Sequence, residues 1–474
     1  VNEGKAMTHS PRRLRRWLTP LTVLCLLMLA LLLRFDRPLI RGDGVAYLAW
    51  ADTLLIDHDI DLTNQVEKLR FVNDESKVMY DVSQQKWVNV FPFGVAILQA
   101  PFYLTGHVFA QQGWLNVNPA YFEQHQGVGL PYSLWVMFGA NLLALAAVIF
   151  AFGLAQRVTD AMTAALVAFV VFAGTPLFYY STVSPFHSHN AGAFTLAAFL
   201  LLLGRVSLDG TTPRPRCWIL LGVLAGLTVL IRWQLLLVFV PAWLLLLYER
   251  RWRGALLAAA VAALVLLPLP LVWYGMYGQF LLVPFDAARD TTFIISPLVG
   301  MGNVVAHLLH HSPVLWLCLP GVPALWRLNR RWTLLLVTMI ALQVVINGAA
   351  LDWWAGESYG MRRMSELYAV YVLLIAAGCG ALIAWLRRRV GGLAPRLVRG
   401  LLLLCLVYIG LYVLAFFYWT WTHPSRLFHA EPEVMIAYFL DPAVSGRDAV
   451  FRWQIMESLF QTHLGPPAWP QPGP

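Results

Sequence analysis

Charge is what this chain has least of. Asp, Glu, Lys and Arg together make up 12% of its 474 residues, about half the share of an ordinary soluble domain. With 59% hydrophobic residues and a mean hydropathy of +0.63, that scarcity excludes a soluble globular protein. Cysteine is also scarce. Cys25, Cys217, Cys318, Cys379 and Cys405 lie in or beside apolar runs, and none is spaced as a metal ligand pair, which argues against a disulfide framework. No Gly-rich phosphate loop of Walker type is present. No convincing internal repeat is seen, which weakens an inverted-repeat transporter. Ionisable residues are almost missing from the centres of the apolar runs, whereas a secondary transporter is expected to place them there.

What the chain has is apolar runs near the 18 to 20 residues that about 30 Å of hydrocarbon demands. They fall at about 17–34, 132–155, 162–181, 187–204, 217–231, 234–248, 255–274, 312–326, 332–350, 366–386 and 400–420. The expected fold is an all-α polytopic membrane protein, a bundle of about eleven spans. Residues 1–420 form its transmembrane domain, and 421–474 form a short tail with a Pro-rich end. The stretch around 92–112 is apolar but holds two prolines, two glycines and a His, so it reads as a helix lying in the interface.

The net charge of +9 does not point to nucleic acid, because the arginines cluster in short loops between runs. Arg157, Arg205, Arg214, Arg216, Arg250, Arg251, Arg253, Arg327, Arg330, Arg331, Arg387, Arg388, Arg389, Arg396 and Arg399 all fall on one side, with Arg12, Arg13, Arg15 and Arg16 before the first run. The positive-inside rule makes that side, and the N-terminus, cytoplasmic. Only Glu3, Asp160, Asp209 and Glu249 are acidic there. Every other acid falls on the outer face, so the chemistry is expected outside. No cleavage site for a signal peptide follows the first run.

The outer loop 35–130 opens with the densest polar stretch, Arg41 to Asn64. Asp43, between Gly42 and Gly44 just past the first span, has two readings, a general base and a helix N-cap. Asp57, Asp59 and Asp61 alternate along the chain and read either as oxygen ligands for a divalent cation or as a solvated helix end. His187 and His189 begin a span at the outer face, and suit either phosphate or hydroxyl contacts or no chemistry at all. Arg232 lies in an outward turn between two spans and needs an anion, either a lipid-linked phosphate or a structural carboxylate. The loop from Asp352 to Arg363 sets Trp353, Trp354 and Glu357 beside Arg362 and Arg363. Its rings suit sugar faces and its arginines suit phosphate, beyond what an interfacial aromatic belt requires. His310 and His311 precede Ser312, a helix cap, and receive no role.

The order of these pieces resembles the GT-C superfamily of integral-membrane glycosyltransferases, in particular bacterial members similar to protein mannosyltransferases and lipid A aminoarabinose transferase. The resemblance rests on Gly42-Asp43-Gly44-Val45-Ala46-Tyr47-Leu48 and Asp59-Ile60-Asp61-Leu62-Thr63-Asn64. It continues with Phe91-Pro92-Phe93-Gly94 before Gln99-Ala100-Pro101-Phe102-Tyr103, then Ile231-Arg232-Trp233, and Trp353-Trp354-Ala355-Gly356 through Arg362-Arg363. Where the family carries a second acid after the first Asp, this chain has Gly44. Phe91 and Phe93 also depart from its pattern.

The resemblance implies outer-face interfacial helices and a polyprenyl-phosphate-linked sugar donor. It also implies catalysis by Asp43, donor-phosphate binding by Arg232, Arg362 and Arg363, and substrate contacts from Tyr47, His187, His189, Trp353, Trp354 and Glu357. The expected reaction is inverting transfer to a glycan, lipid or protein acceptor at the periplasmic face of a bacterial inner membrane. No cofactor is required, although a divalent metal held by Asp43 with Asp59 or His187 is compatible with these residues. Membrane lipids are the other expected partner, and nucleic acid is not one. Two rival functions are a polytopic transporter and a lipid-linked glycan ligase or binding protein.

Overall fold

The computed structural model describes residues 11–36, 38, 40, 42–70, 78–81, 84–115, 129–209, 213–281, 297–350, 352–353, 359–422 and 435–437. Trp354, Glu357 and nearly all of the C-terminal tail lie outside the described residues.

Apolar runs become helices because a buried or lipid-facing backbone must satisfy its own hydrogen bonds. The first is α1 (Pro11–Phe35). After an intervening segment come α5 (Leu130–Ala155), α6 (Ala161–Ala173), α7 (Pro176–Thr182), α8 (His189–Leu208) and α9 (Pro215–Ile231). Then follow α10 (Leu236–Tyr248), α11 (Trp252–Leu266), α12 (Pro268–Tyr277), α13 (Pro297–His311), α14 (Cys318–Leu328), α15 (Arg330–Ala349), α16 (Tyr368–Val390) and α17 (Ala394–Thr422). Their starts carry local signals. Asp160 accepts from the Thr163 amide at α6 and Asn329 from the Trp332 amide at α15, while Pro opens α5, α7, α9 and α12.

Among the described residues, five stretches are long and apolar enough to cross a membrane, or seven if each of two bent pairs is one span. One of the five, Arg362–Trp419, takes in α16 and most of α17. The stretches Thr19–Phe35, Pro215–Ile231 and Trp233–Tyr248 are apolar but shorter. Each of the eleven expected runs therefore coincides with helix, although not every one is a straight span. The run at 162–181 is broken by 74° between α6 and α7, where Gly174-Thr175-Pro176 interrupts the ladder. The run at 312–326 is a 3₁₀ turn (Pro313–Leu317) leading into α14, and turns 104° from α13. This is an integral membrane protein.

The segment between α1 and α5 is a small layer of its own. It holds α2 (Asp43–Asp52), a π-helical turn (Thr53–Asp57), α3 (Thr63–Arg70) and α4 (Gly94–Gln111). The π turn ends at His58 in the left-handed region. The segment also holds a hairpin, β1 (Val78–Asp81) with β2 (Lys86–Asn89), that an all-α expectation does not contain. The strands are antiparallel, with Val78 opposite Asn89 and Asp81 opposite Lys86. Asn89 fixes this hairpin to the layer, because its amide donates to the Ala46 carbonyl and its own carbonyl accepts from the Tyr277 hydroxyl. The α4 helix occupies the stretch expected in the interface, and is not among the spans.

A core of α2, α4, β1 and β2 residues with Leu230, Leu269 and Tyr277 joins the layer to the bundle. Inside it, Tyr103 donates to Asp52 at 2.6 Å, and Gln65 donates to both Asp52 and Asp57.

Candidate active site

Three approaches bring the site together. The first is the N-terminus of α2, where Gly42 takes φ +51 and turns the chain into the helix. Asp43 is the first residue of that helix and is buried. The second is the segment between α7 and α8, which carries Phe186, His187 and Ser188. The third is the 3₁₀ turn Arg362–Leu367 that leads into α16.

Asp43 Oδ2 lies 2.8 Å from Arg362 Nη1 and 3.9 Å from His187 Nδ1. Arg362 Nη1 is also 3.4 Å from His187 Nδ1. Since arginine only donates, His187 accepts there, and its proton sits on Nε2. Burial holds His187 down to about 3, with Arg362 adding to the effect and Asp43 opposing it, so the ring is neutral at any physiological pH. Asp43 and Arg362 therefore form the charged pair and His187 is its neutral wall.

The residue after Asp43 explains the departure from the family pattern. A Cβ on Gly44 would lie 2.6 Å from the Phe186 Cβ. The α7–α8 segment approaches α2 so closely that a second acid at this position has no room.

A second ionic unit lies beside the first. Glu366 Oε1 is 3.1 Å from Arg232 Nη1 and 2.9 Å from His189 Nδ1. The same Nδ1 is 3.2 Å from Arg232 Nη1, so it faces both a carboxylate that only accepts and a guanidinium that only donates. Glu366 is buried, and its place depends on Gly192, where a Cβ would lie 2.6 Å from the Glu366 Cγ. Arg232 Nη1 also reaches Ser188 Oγ at 3.4 Å. With its amide oxygen turned toward the guanidinium, Gln234 accepts from Arg232 Nη2 at 2.7 Å and Nε at 3.1 Å. Tyr47, one turn after Asp43, bonds to Ser188 and stacks on Phe91 at 4.8 Å. Burial pushes its hydroxyl up to about 12. Tyr180 packs over both histidine rings, at 4.9 Å and 4.5 Å.

The expected residues thus divide. Asp43, Arg362, His187, His189, Arg232 and Tyr47 converge. The arginine pair separates, because Arg363 donates to Asp352, to Oδ2 at 2.7 Å and to the carbonyl at 3.1 Å. Trp353 packs against the bundle core and stands edge-on to His307 at 6.1 Å. Arg232 has the structural carboxylate partner, Glu366, that one of its two readings required. Glu366 and Ser188 were not anticipated. The signal for Glu366 was its position, an acid at the mouth of the otherwise apolar run 366–386.

Asp59 and Asp61 are occupied as turn formers. Asp59 Oδ1 accepts from Thr53 Oγ1 and the Asp61 amide. Asp61 Oδ1 accepts from the Thr63 amide and hydroxyl, which hold its carboxyl below the usual range. Asp59 is therefore not placed beside Asp43. Among the described residues, no group of three His, Cys, Asp or Glu is arranged to hold a metal ion. These residues do not fit a bridging cation.

No family model matches the chain, and no curated protein matches it in sequence. Among solved structures it is similar to ArnT from Cupriavidus metallidurans in the apo state, at TM-score 0.50 and 13% identity over 95% of this chain and 74% of that one. The same protein bound to undecaprenyl phosphate matches at TM-score 0.50 and 12% identity, over 94% of this chain and 77% of that one. The apo oligosaccharyltransferase of Archaeoglobus fulgidus matches at TM-score 0.50 and 15% identity. The match covers 98% of this chain but only 62% of the archaeal protein. At such identities the likeness speaks for the fold, and it spans nearly the whole chain: this is a polytopic membrane protein that shares the fold of these solved structures.

Proposed function

We propose that the chain is a membrane glycosyltransferase. It moves a sugar from a polyprenyl-phosphate donor to a hydroxyl or amine acceptor at the outer face of a bacterial inner membrane. The observation that carries this reading is the buried pair of Asp43 and Arg362 at the mouth of the bundle, 2.8 Å apart. A carboxylate suited to take a proton stands beside a guanidinium suited to hold a phosphate. The structural neighbour solved with undecaprenyl phosphate supports the donor class.

In this mechanism the donor's apolar tail stays in lipid between helices while its phosphate enters beside Arg362. The guanidinium turns from Asp43 to the phosphate, a bidentate exchange for which arginine is suited. Released from its ion pair, Asp43 becomes a stronger base and accepts the acceptor's proton as the nucleophile attacks the anomeric carbon. The bond to phosphate breaks on the opposite side, so the configuration inverts. Arg362 stabilises the leaving polyprenyl phosphate in a site from which bulk water is excluded. Arg232, held by Glu366 and Gln234, shapes the wall carrying His189 and Tyr47, and Arg363 braces the loop through Asp352.

The test is turnover by the purified chain with a panel of polyprenyl-phosphate sugars, wild type against Asp43→Asn. Loss of roughly 10²–10⁴-fold in kcat is expected when a general base is removed. Full turnover by the variant overturns the assignment. Flux of an unmodified substrate into proteoliposomes with no glycosyl product would favour a transporter instead.

A further inference from the structure

The end of the bundle opposite Asp43 carries a second polar surface. The α8 helix starts at His189 in the site and runs 20 residues, about 30 Å by helix rise, to Ser207 and Leu208. There Ser207 donates to Glu249 at 2.7 Å and accepts from Trp332 Nε1 at 3.3 Å. This brings the end of α10 and the start of α15 to the same place. Arg250 and Arg251 lie in the turn from α10 to α11 and Arg253 at the start of α11, while Arg327 lies in the last turn of α14 and Arg330 and Arg331 begin α15.

The acids at this end are already used. Arg399 pairs with Asp160 at 2.6 Å, Arg157 with Asp209 at 2.7 Å and Arg251 with Glu249 at 3.6 Å. Among the described residues, Arg250, Arg253, Arg327, Arg330 and Arg331 have no carboxylate partner. Three of them lie over aromatic rings instead, Arg253 over Trp252 at 5.1 Å, Arg330 over Trp326 at 5.7 Å and Arg331 over Tyr248 at 4.8 Å. Those rings are themselves open, with Trp252 50%, Trp326 40% and Tyr248 68% exposed. Arg331 on Tyr248 ties α15 to α10. Toward the middle of the bundle, the same helices expose Leu244, Leu247, Leu256 and Leu334. In the most apolar 18-residue window of Trp252–Tyr277, only 17% of the residues are buried.

The outward sequence is therefore leucine, then aromatic ring, then guanidinium. This order matches the acyl region, interface and headgroup of a lipid leaflet. Orientation alone does not explain the choice of residue, since lysine satisfies the positive-inside rule equally well. Yet all four lysines, Lys5, Lys68, Lys77 and Lys86, lie before residue 87. Arginine differs in holding phosphate with a planar fork while stacked on a ring.

We propose that the exposed ends of α10, α11, α14 and α15 form a binding site for anionic phospholipid. Arg253, Arg330 and Arg331, on their aromatic platforms, take the headgroup phosphate, and the leucines below receive the acyl chains. This is independent of the glycosyl-transfer reading, so its test needs no donor. The full chain is purified in detergent and delipidated, then titrated with phosphatidylglycerol or phosphatidylcholine and read by native mass spectrometry and thermal unfolding.

Phosphatidylglycerol should bind at least about tenfold more tightly and raise the unfolding temperature, consistent with the attraction of an anionic leaflet for each nearby arginine. The triple variant R253Q/R330Q/R331Q should lose that preference, whereas R387Q/R388Q/R389Q, which removes equal charge elsewhere, should keep it. The charge-preserving variant R253K/R330K/R331K, which guards against a folding defect, should show a weakened preference through loss of the fork. Equal binding of the two lipids overturns the proposal. So does equal loss in both glutamine triples, or an unchanged preference in either Arg253 series. Protection by inorganic phosphate at equal concentration would show a free-anion site and also overturn it.

Discussion

At the scale of single residues, the two arginines next to the site carry different duties because their partners differ. Arg362 has a carboxylate that can let go and a neutral His187. Arg232 is held by Glu366, Ser188 and Gln234 and also reaches His189 Nδ1. Replacing Arg362 with Gln should therefore weaken binding of undecaprenyl phosphate by tenfold or more, on the scale of a charge-assisted contact of about 1.5–3 kcal/mol. Glu366→Gln should instead leave Arg232 without its counter-charge, tightening phosphate binding while slowing product release, a fall in kcat with a fall in donor KM. A rise in KM would show that Glu366 only braces the fold.

His187 gives a pH signature. The unfolded chain takes up a proton near pH 6.5, and the folded chain does not until about 3. The stability this neutral ring contributes is present above pH 6.5 and is lost as pH falls toward 3. Thermal unfolding in detergent should show that decline, and His187→Gln should flatten it. Asp43 was legible from its glycine-flanked position beyond the first span, and Arg232 from its exile to an outward turn. Which anion each arginine meets was not, because Glu366 and Asp43 reach them from remote parts of the chain.

At the scale of elements, hydropathy located the helices but not their breaks. A run of apolar residues reads alike whether it is straight or bent by 74° at Gly174-Thr175-Pro176. The Pro176 signal was present, yet only packing decides whether such a proline kinks a span or ends it. The hairpin was hidden for another reason. Its strands are four residues each and their stability comes from Asn89 bonding to α2, a contact no periodicity reveals. The junction of α1 and α5 supplies a second titration, opposite in sign to that of His187. Asp36 accepts from the Asn141 amide, while its Oδ1 and the Asn141 Oδ1 are buried without a partner. Burial raises this carboxyl from 3.8 to about 8. A raised folded value means its contribution is fully present below 3.8 and is lost as pH rises through about 8. Asp36→Asn should remove that loss, so the variant should outlast wild type on heating at alkaline pH and differ less at acid pH.

At the scale of the whole molecule, the arginine-rich ends and the Asp43 site lie at opposite ends of the same helices, which makes orientation testable. The turn Gly391–Leu393 between α16 and α17 is exposed and adjoins Arg387 to Arg389. In a chain with its five cysteines replaced, Gly392→Cys should be labelled by a membrane-impermeant thiol reagent only after the inner membrane is opened. Labelling of intact spheroplasts would reverse the topology.

The ion pairs around the site carry a consequence for protons. Arg362 faces Asp43, Arg232 faces Glu366 and Arg363 faces Asp352, with His187 uncharged between them. Among the described residues, each of these three guanidiniums already faces a carboxylate, so a phosphate entering the set adds negative charge to a balanced group. The linked response is proton uptake, by the phosphate itself or by a neighbouring group. Calorimetric titration of undecaprenyl phosphate in buffers of different ionisation enthalpy should show a binding heat that depends on the buffer. Affinity should improve as pH falls, so the released polyprenyl phosphate would be held in this site together with a proton.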